Sequence, residues 1–121
     1  MQVSYYSNGF STHFRDQPKV LSYLLRRGAD ANTVNTAHCT ALHVAVNKQL
    51  VECVRILLNE SPTIDVNVQD SYGDTALHDA IGKVSPAILG LLLSKPGIDV
   101  TLRNRRGFHP LHHAALRGNA M

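Results

Sequence analysis

Tryptophan is absent from this chain, and aromatic residues together make up only 6% of its 121 residues. The core must therefore come from aliphatic side chains, as it does in stacked helices. No segment approaches about 18 consecutive apolar residues, so the sequence predicts no membrane span and no membrane partner. The N-terminus also lacks the basic start and the apolar stretch of a signal peptide, which indicates a cytoplasmic protein.

Cysteines and catalytic motifs are equally scarce. The two cysteines, Cys39 and Cys53, form neither a C-x-x-C pair nor a disulfide framework. Cys53 falls on a core-facing helical position, where it is expected to act as a small apolar residue rather than a nucleophile. The P-loop, H-E-x-x-H and G-x-S-x-G motifs are missing. We therefore expect no catalytic residues and no cofactor in this chain.

Positive charge is present but is not concentrated in one run. The formal net charge is +3, and its local groups are Arg26 with Arg27, then Arg103, Arg105 and Arg106. Nucleic-acid binding usually leaves a basic stripe, or a run of about five or six like charges, and the sequence has neither. We expect no nucleic-acid partner.

Two polar groups invite a chemical interpretation. His109 and His113 are spaced i, i+4, which can bind a metal, but no Asp or Glu lies in that segment to complete a site, so we expect no metal. Asp70, Asp74 and Asp79 suggest a carboxylate pair for acid–base catalysis. The simpler interpretation places the first two in an exposed turn and Asp79 on a solvated helix face.

What the chain does contain is an internal repeat. Three strings align, at residues 40–45 (TALHVA), 75–80 (TALHDA) and 109–114 (HPLHHA), and their leucines are 35 and 34 residues apart. A second set of strings follows the same period, at residues 28–32, 64–67 and 98–101. Aliphatic residues at helical spacing lie between the strings, which predicts paired helices.

This pattern resembles the ankyrin repeat, which has a period near 33 residues, a β-turn, two antiparallel helices and a T-P-L-H signature. The resemblance implies an all-α solenoid of stacked helix-turn-helix units with projecting β-turns. The signature threonine is expected to cap the inner helix. The signature histidine is expected to bond that hydroxyl and a carbonyl of the neighbouring turn. Gly73 and Gly107 are expected to take the positive φ of the projecting turn, where His38 stands in the first copy.

The period also predicts where the units lie. We expect helices over residues 18–27, 41–48, 51–59, 76–83, 86–94 and 110–117. An irregular segment over residues 1–17 would precede an array over 18–121, divided into a half repeat 18–35, full repeats 36–70 and 71–104, and a half repeat 105–121. We expect this array to be truncated at both ends and to continue into flanking repeats of a longer chain. Its cut ends would expose Leu21, Leu24, Leu111 and Leu116.

Three strings are more specific than a generic ankyrin repeat. They lie at residues 39–46, at 65–81, and at 107–108 followed by 111–115. Together they look like the central ankyrin block of the mind bomb family of RING-type E3 ubiquitin ligases. The resemblance implies a parent protein that ubiquitinates Notch ligands, with this chain as an interaction or spacer module that lacks the catalytic part. A free-standing ankyrin adaptor or inhibitor, with no link to ubiquitin, is the alternative.

In a stacked array the turn tips and the outward side of the inner helices line one concave surface, where we expect a protein partner of unknown identity. The turn residues of this face are Ser71, Tyr72, Asp74, Arg105, Arg106 and Phe108. The inner-helix residues are Val44, Asn47, Lys48, Asp79, Lys83, His113 and Arg117. The alternative is that Tyr72 and Phe108 pack against neighbouring turns and bind no partner.

Overall fold

A computed structural model describes residues 17–116, without the side chains of His113 and Leu116. In this range the chain is all-α, and each helix lies within one residue of its predicted bounds. The helices are α1 (Pro18–Arg26), α2 (Ala41–Asn47), α3 (Val51–Glu60), α4 (Ala76–Lys83), α5 (Pro86–Leu93) and α6 (Pro110–Leu116). Arg117 and residues 1–16 of the expected irregular segment lie outside the described residues.

The helices form two layers that run along the stack. The inner layer is α2, α4 and α6, the outer layer is α1, α3 and α5, and each helix packs on the next one of its own layer. Ala45 and Ala80, both fully buried, let the inner helices approach the outer ones. Aliphatic side chains fill the space between the layers, as the scarcity of aromatics requires; the most deeply buried include Leu42, Leu57, Leu77, Ile88 and Leu92.

The signature threonine and histidine join neighbouring repeats as predicted. Thr40 caps α2, where its hydroxyl accepts from the backbone N–H of His43 at 3.3 Å. The backbone N–H of Thr40 in turn donates to Nδ1 of His43 at 3.1 Å, so the proton of that ring lies on Nε2. Nε2 then donates to the carbonyl oxygen of Asp74 in the next turn at 3.0 Å. Thr75 and His78 repeat this arrangement, and Nε2 of His78 donates to the carbonyl oxygen of Phe108 at 2.9 Å.

Each projecting turn is closed by one side-chain oxygen. Asp70 Oδ1 accepts from the backbone N–H groups of Tyr72 and Asp74 at 2.9 and 3.0 Å, and Asn35 and Asn104 serve the turns before and after it in the same way. Gly73 and Gly107 have φ of 80° and 82°, as predicted, and His38 adopts 62° at the matching place. The three turns therefore share one geometry despite different sequences.

One end of the described stack differs from expectation, and the other agrees with it. Leu21 is buried at 3% exposure because α1 packs on α3, and Leu24 is partly buried; the exposed apolar residues of α1 are Val20 and Tyr23. At the other end Leu111 is 79% exposed, as expected. It borders an open apolar groove of about 700 Å³ between α5 and α6. Within residues 17–116, no helix combines the length and apolar character that a bilayer crossing demands.

Candidate functional site

The predicted face begins with the tips of the projecting turns, which lie side by side. The backbone N–H of Ser71 donates to the carbonyl of Ala37 at 3.0 Å, and that of Arg105 donates to the carbonyl of Tyr72 at 2.9 Å. Ser71 is exposed, and the Tyr72 side chain is 72% exposed. The alternative in which Tyr72 packs against a neighbouring turn is therefore wrong for this residue.

Phe108 behaves differently from Tyr72. It is partly buried, its ring centroid lies 6.1 Å from that of His112, and the guanidinium of Arg106 lies 5.3 Å above its ring. Arg105 and Arg106 are both exposed. The aromatic ring thus packs within the turn, whereas the two arginine side chains are exposed to solvent.

The second part of the predicted face lies on the inner helices. Asn47, Lys48 and Lys83 are exposed, and Asn47 Nδ2 donates to Asp79 Oδ2 of the next inner helix at 3.3 Å. Val44 is buried at 8% exposure, because its side chain is covered within the stack, so its place on the face was predicted wrongly. The side chain of His113 and the whole of Arg117 lie outside the described residues.

The carboxylates at the base of the face are not the solvated groups expected from the sequence. Asp70, Asp74 and Asp79 are all partly buried. Asp74 Oδ1 accepts from Nδ2 of Asn104 at 2.9 Å, so this carboxylate ties two turns together. Burial and the nearby charges of Asp70 and Asp74 raise the pKa of Asp79 to about 7, although Lys83 acts against them. The sequence indicated which turn or helix carries each acid, but not that Asp70 and Asp74 lie near enough to Asp79 to raise its pKa.

His43 joins these carboxylates, and ligand atoms of His43, Asp70 and Asp79 lie within 4.8 Å of one another. A metal there would require a ring nitrogen of His43, yet both nitrogens are already bonded, one to Thr40 and one to Asp74. Burial lowers the pKa of His43, which favours the neutral ring. The cluster is therefore best explained as part of the repeat-to-repeat connection.

The two cysteines do not provide a nucleophile near this cluster. Burial, then the charges of Asp70 and Asp79, raise the pKa of Cys39 to about 11, which keeps the thiol protonated at neutral pH. Cys53 is completely buried in the core, as predicted.

Replacing Asp79 with asparagine should change how stability depends on pH. The raised pKa means that the folded state holds the proton more tightly than the unfolded state, whose value is near 3.8. The stability due to Asp79 is therefore lost as pH rises from about 4 to about 7. Urea unfolding should show Asp79→Asn more stable than wild type by about 1 kcal/mol at pH 8, a value reduced by solvent screening, and little changed at pH 4.

Asp99→Asn is the matched control for that experiment. Hydrogen bonds from the hydroxyl and backbone of Thr101 lower the pKa of Asp99, so its contribution is present at high pH and lost on acidification. This variant should therefore lose stability relative to wild type at pH 8. Parallel pH curves for the Asp79 variant and wild type would contradict the crowding of carboxylates at Asp79.

The back of the stack supplies comparison residues for the face. Arg55 is exposed on α3 and pairs with Glu52 of the same helix at 3.3 Å. Lys95, also on the back, donates from Nζ to the carbonyl of Leu58 at 2.8 Å. Arg55 is thus the better control, because changing Lys95 would remove a contact between repeats.

Comparison with known proteins gives a consistent set of relatives. The profile of the family described as "Ankyrin repeats (3 copies)" matches residues 11–104. The chain is 35% identical over 105 residues to human transient receptor potential cation channel subfamily A member 1, covering 87% of this chain and 9% of that protein. It is 33% identical over 100 residues to mouse Rabankyrin-5, covering 73% and 8%.

Another relative and a solved structure extend the comparison. Mouse neurogenic locus notch homolog protein 1 is 32% identical over 108 residues, covering 88% of this chain and 4% of that protein. The crystal structure of the ankyrin repeat domain of Bcl-3 superposes with a TM-score of 0.79 at 30% identity, covering 84% of this chain and 46% of that one. The chain thus spans a tenth or less of these curated relatives. None of the relatives named here is a mind bomb protein.

Proposed function

Because the chain belongs to the ankyrin-repeat family, we propose that it binds a protein partner through the concave face formed by its turn tips and inner helices. The observation that carries this proposal is the pair of adjoining turns that hold Tyr72 and Arg106 out of the core. Tyr72 is largely exposed, and the position of Arg106 is set by Phe108 beneath it. Tyrosine and arginine are the residue types most enriched among those that dominate binding energy.

The rest of the proposed face lies beside these two residues. Ser71 and Arg105 are on the same turns, and Asn47, Lys48 and Lys83 extend the surface along the inner helices. Asp79 lies beside Asn47, whose side-chain amide donates a hydrogen bond to the Asp79 carboxylate. Rigid turns and helices reduce the entropy lost when a partner binds, so the fixed geometry itself favours binding.

We further propose that the parent protein is a mind bomb-like E3 ubiquitin ligase that acts on Notch ligands. The strings at residues 39–46 and 65–81 support this, and the chain would then hold or space the other parts of the ligase. The competing proposal is a free-standing ankyrin adaptor or inhibitor. It remains open because the relatives, which include a channel, a notch homolog protein and Bcl-3, do not single out a ligase.

What lies downstream in the full-length transcript distinguishes the two proposals. Cysteine clusters able to hold two zinc ions in RING fingers, about eight ligands in each finger, would support the ligase. A transcript that encodes further ankyrin repeats and no such clusters would contradict it and leave the adaptor.

Alanine substitutions at Tyr72 and Arg106 test the binding face. Each is expected to weaken partner binding by about 1 kcal/mol or more, a roughly fivefold rise in Kd, because each removes an exposed side chain of a hot-spot type. The partner is first captured with the intact chain, and Kd is then measured by titration calorimetry. Circular dichroism should show unchanged helicity in both variants.

Arg55→Ala on α3 serves as the control for these substitutions. It removes the same kind of side chain from the back of the stack, so Kd should stay within about twofold of wild type. An equal loss from Arg55→Ala and Arg106→Ala, or a loss from Arg55→Ala alone, would show that the partner binds elsewhere.

A further inference from the structure

Positive charge is concentrated on the third projecting turn. Arg103, Arg105 and Arg106 are all exposed within four consecutive positions. The ion pairs formed among residues 17–116 lie on the outer helices, so none of these three guanidinium groups has a carboxylate partner there. Three unpaired arginines on one turn form a local site for negative charge, although the chain as a whole carries only +3.

The turn has a fixed backbone, and it positions one of the three arginine side chains. Asn104 Oδ1 accepts from the backbone N–H groups of Arg106 and Phe108, both at 3.0 Å. The Arg106 guanidinium rests 5.3 Å above the Phe108 ring. Burial, and then the charge of Arg103, lower the pKa of His109 at the foot of the turn. An arginine positioned before binding loses less entropy when it forms a paired hydrogen bond with a carboxylate.

An exposed aromatic side chain lies beside the arginines. The carbonyl of Tyr72 accepts from the backbone N–H of Arg105 at 2.9 Å, so the two turns are in direct contact. We infer that this surface, Tyr72 with Arg103, Arg105 and Arg106, docks an acidic peptide segment of the protein partner. Carboxylates of that segment bind the arginines, and an apolar side chain covers Tyr72. The inference rests on the proposed function, since it names the partner chemistry for the same face.

The charges on the remainder of the face favour a short acidic peptide over a nucleic acid. Asp70 and Asp79 lie at the base of the same concave surface, and Asp79 is already crowded by neighbouring carboxylates. A phosphate backbone that ran along the face would meet this negative charge after leaving the third turn. A peptide needs to place its carboxylates at one turn only.

A peptide selection tests the inference directly. A random 12-residue peptide library displayed on phage is selected against the 121-residue chain. Enriched peptides should contain an excess of Asp and Glu over the starting library. Binding of a synthetic enriched peptide should weaken about tenfold or more in Arg105→Gln/Arg106→Gln, because two charge-assisted contacts are lost. Its affinity should also fall as NaCl rises from about 50 to about 300 mM, since exposed charges are screened.

The double variant Arg27→Gln/Arg55→Gln is the matched control, because it removes two exposed arginines from the outer side of the stack, each bonded to a sequence neighbour, Tyr23 or Glu52. It should leave peptide affinity within about twofold of wild type. Peptides without an acidic excess, no enrichment at all, or an equal loss in both double variants would overturn the inference. Tighter binding of a 20-nucleotide DNA or RNA than of the peptides, lost with Arg105 and Arg106, would overturn it in favour of nucleic acid.

The same peptides separate this inference from the proposed function. Non-acidic peptides that lose affinity with Tyr72→Ala would leave the concave face as a binding surface and reject only its acidic partner. Peptides whose affinity is unchanged by Tyr72→Ala and by the Arg105 and Arg106 substitutions would reject both.

Discussion

Replacing Gly73 with alanine is expected to lower the free energy of unfolding by about 3 kcal/mol, the sum of two separate costs. Gly73 has φ of 80°, a left-handed conformation that costs an alanine about 1 kcal/mol. An added Cβ would also lie 2.7 Å from the backbone N of Arg105 and 2.9 Å from Cα of Asn104. These atoms belong to the next turn, which must shift away at a cost of about 2 kcal/mol.

Gly107→Ala is the matched control, because it separates the two costs. Gly107 has φ of 82°, but a Cβ there would meet no atom of residues 17–116 within 4 Å. We therefore expect it to lose about 1 kcal/mol, from backbone strain alone. Both variants and wild type are unfolded in urea and followed by circular dichroism. Equal losses from the two substitutions would show that the second and third turns are not in close contact in solution.

Local sequence was sufficient to predict most of the fold. Thr40 and Thr75 open inner helices because a hydroxyl can satisfy an unpaired backbone N–H at a helix start, and this rule requires no knowledge of neighbours. The repeat period then implied the stacking, so the bond from His43 to the next turn was also predicted and is confirmed at 3.0 Å. The start of α6 at Pro110 was predicted in the same way, because the fixed φ of proline suits the first position of a helix.

Backbone conformation at other positions is set by the stack and not by the residue that occupies them. Gln49 and Val84, which lie 35 residues apart, both have positive φ, 58° and 52°. A β-branched valine disfavours this region, so no local rule would have placed it there. Asn32 and Asn67 show a similar dependence: each bonds backbone groups of the following repeat, at 2.7–2.9 Å. These contacts exist only when two repeats are present.

Most of the described side chains assigned to the candidate face are exposed, and the departures at Val44 and Asp79 share one cause. The sequence analysis placed Asp79 and Val44 on the outward side of the inner helices, with Asp79 as a solvated side chain. Helix α4 packs beside α2, however, so Val44 is covered and Asp79 is drawn toward Asp70. Periodicity indicates which side of a helix faces outward, but it does not show how closely the next repeat covers that side.

The largest expected contrast between equivalent positions is that of Leu77 and Leu111. They occupy the same place in successive repeats, yet Leu77 is 2% exposed and Leu111 is 79% exposed. Leu77→Ala should lower the free energy of unfolding by about 3 kcal/mol, since it removes buried apolar contacts and leaves a cavity. Leu111→Ala should change it by less than about 0.5 kcal/mol, because little contact is lost. Urea unfolding of both variants at one protein concentration provides the comparison.

Urea unfolding of these two variants also shows whether the groove beside Leu111 is open in solution. Leu93 and Val100 border that groove at 53% and 48% exposure, whereas their counterparts one repeat earlier, Leu58 and Val66, are both 5% exposed. If a second copy of the chain covered the groove, Leu111→Ala would cost as much as Leu77→Ala, and the unfolding midpoint would rise with protein concentration. A small cost at Leu111 with a concentration-independent midpoint is expected instead. It would mean that no second copy covers the groove and that Leu111 contributes little stabilising contact in this chain.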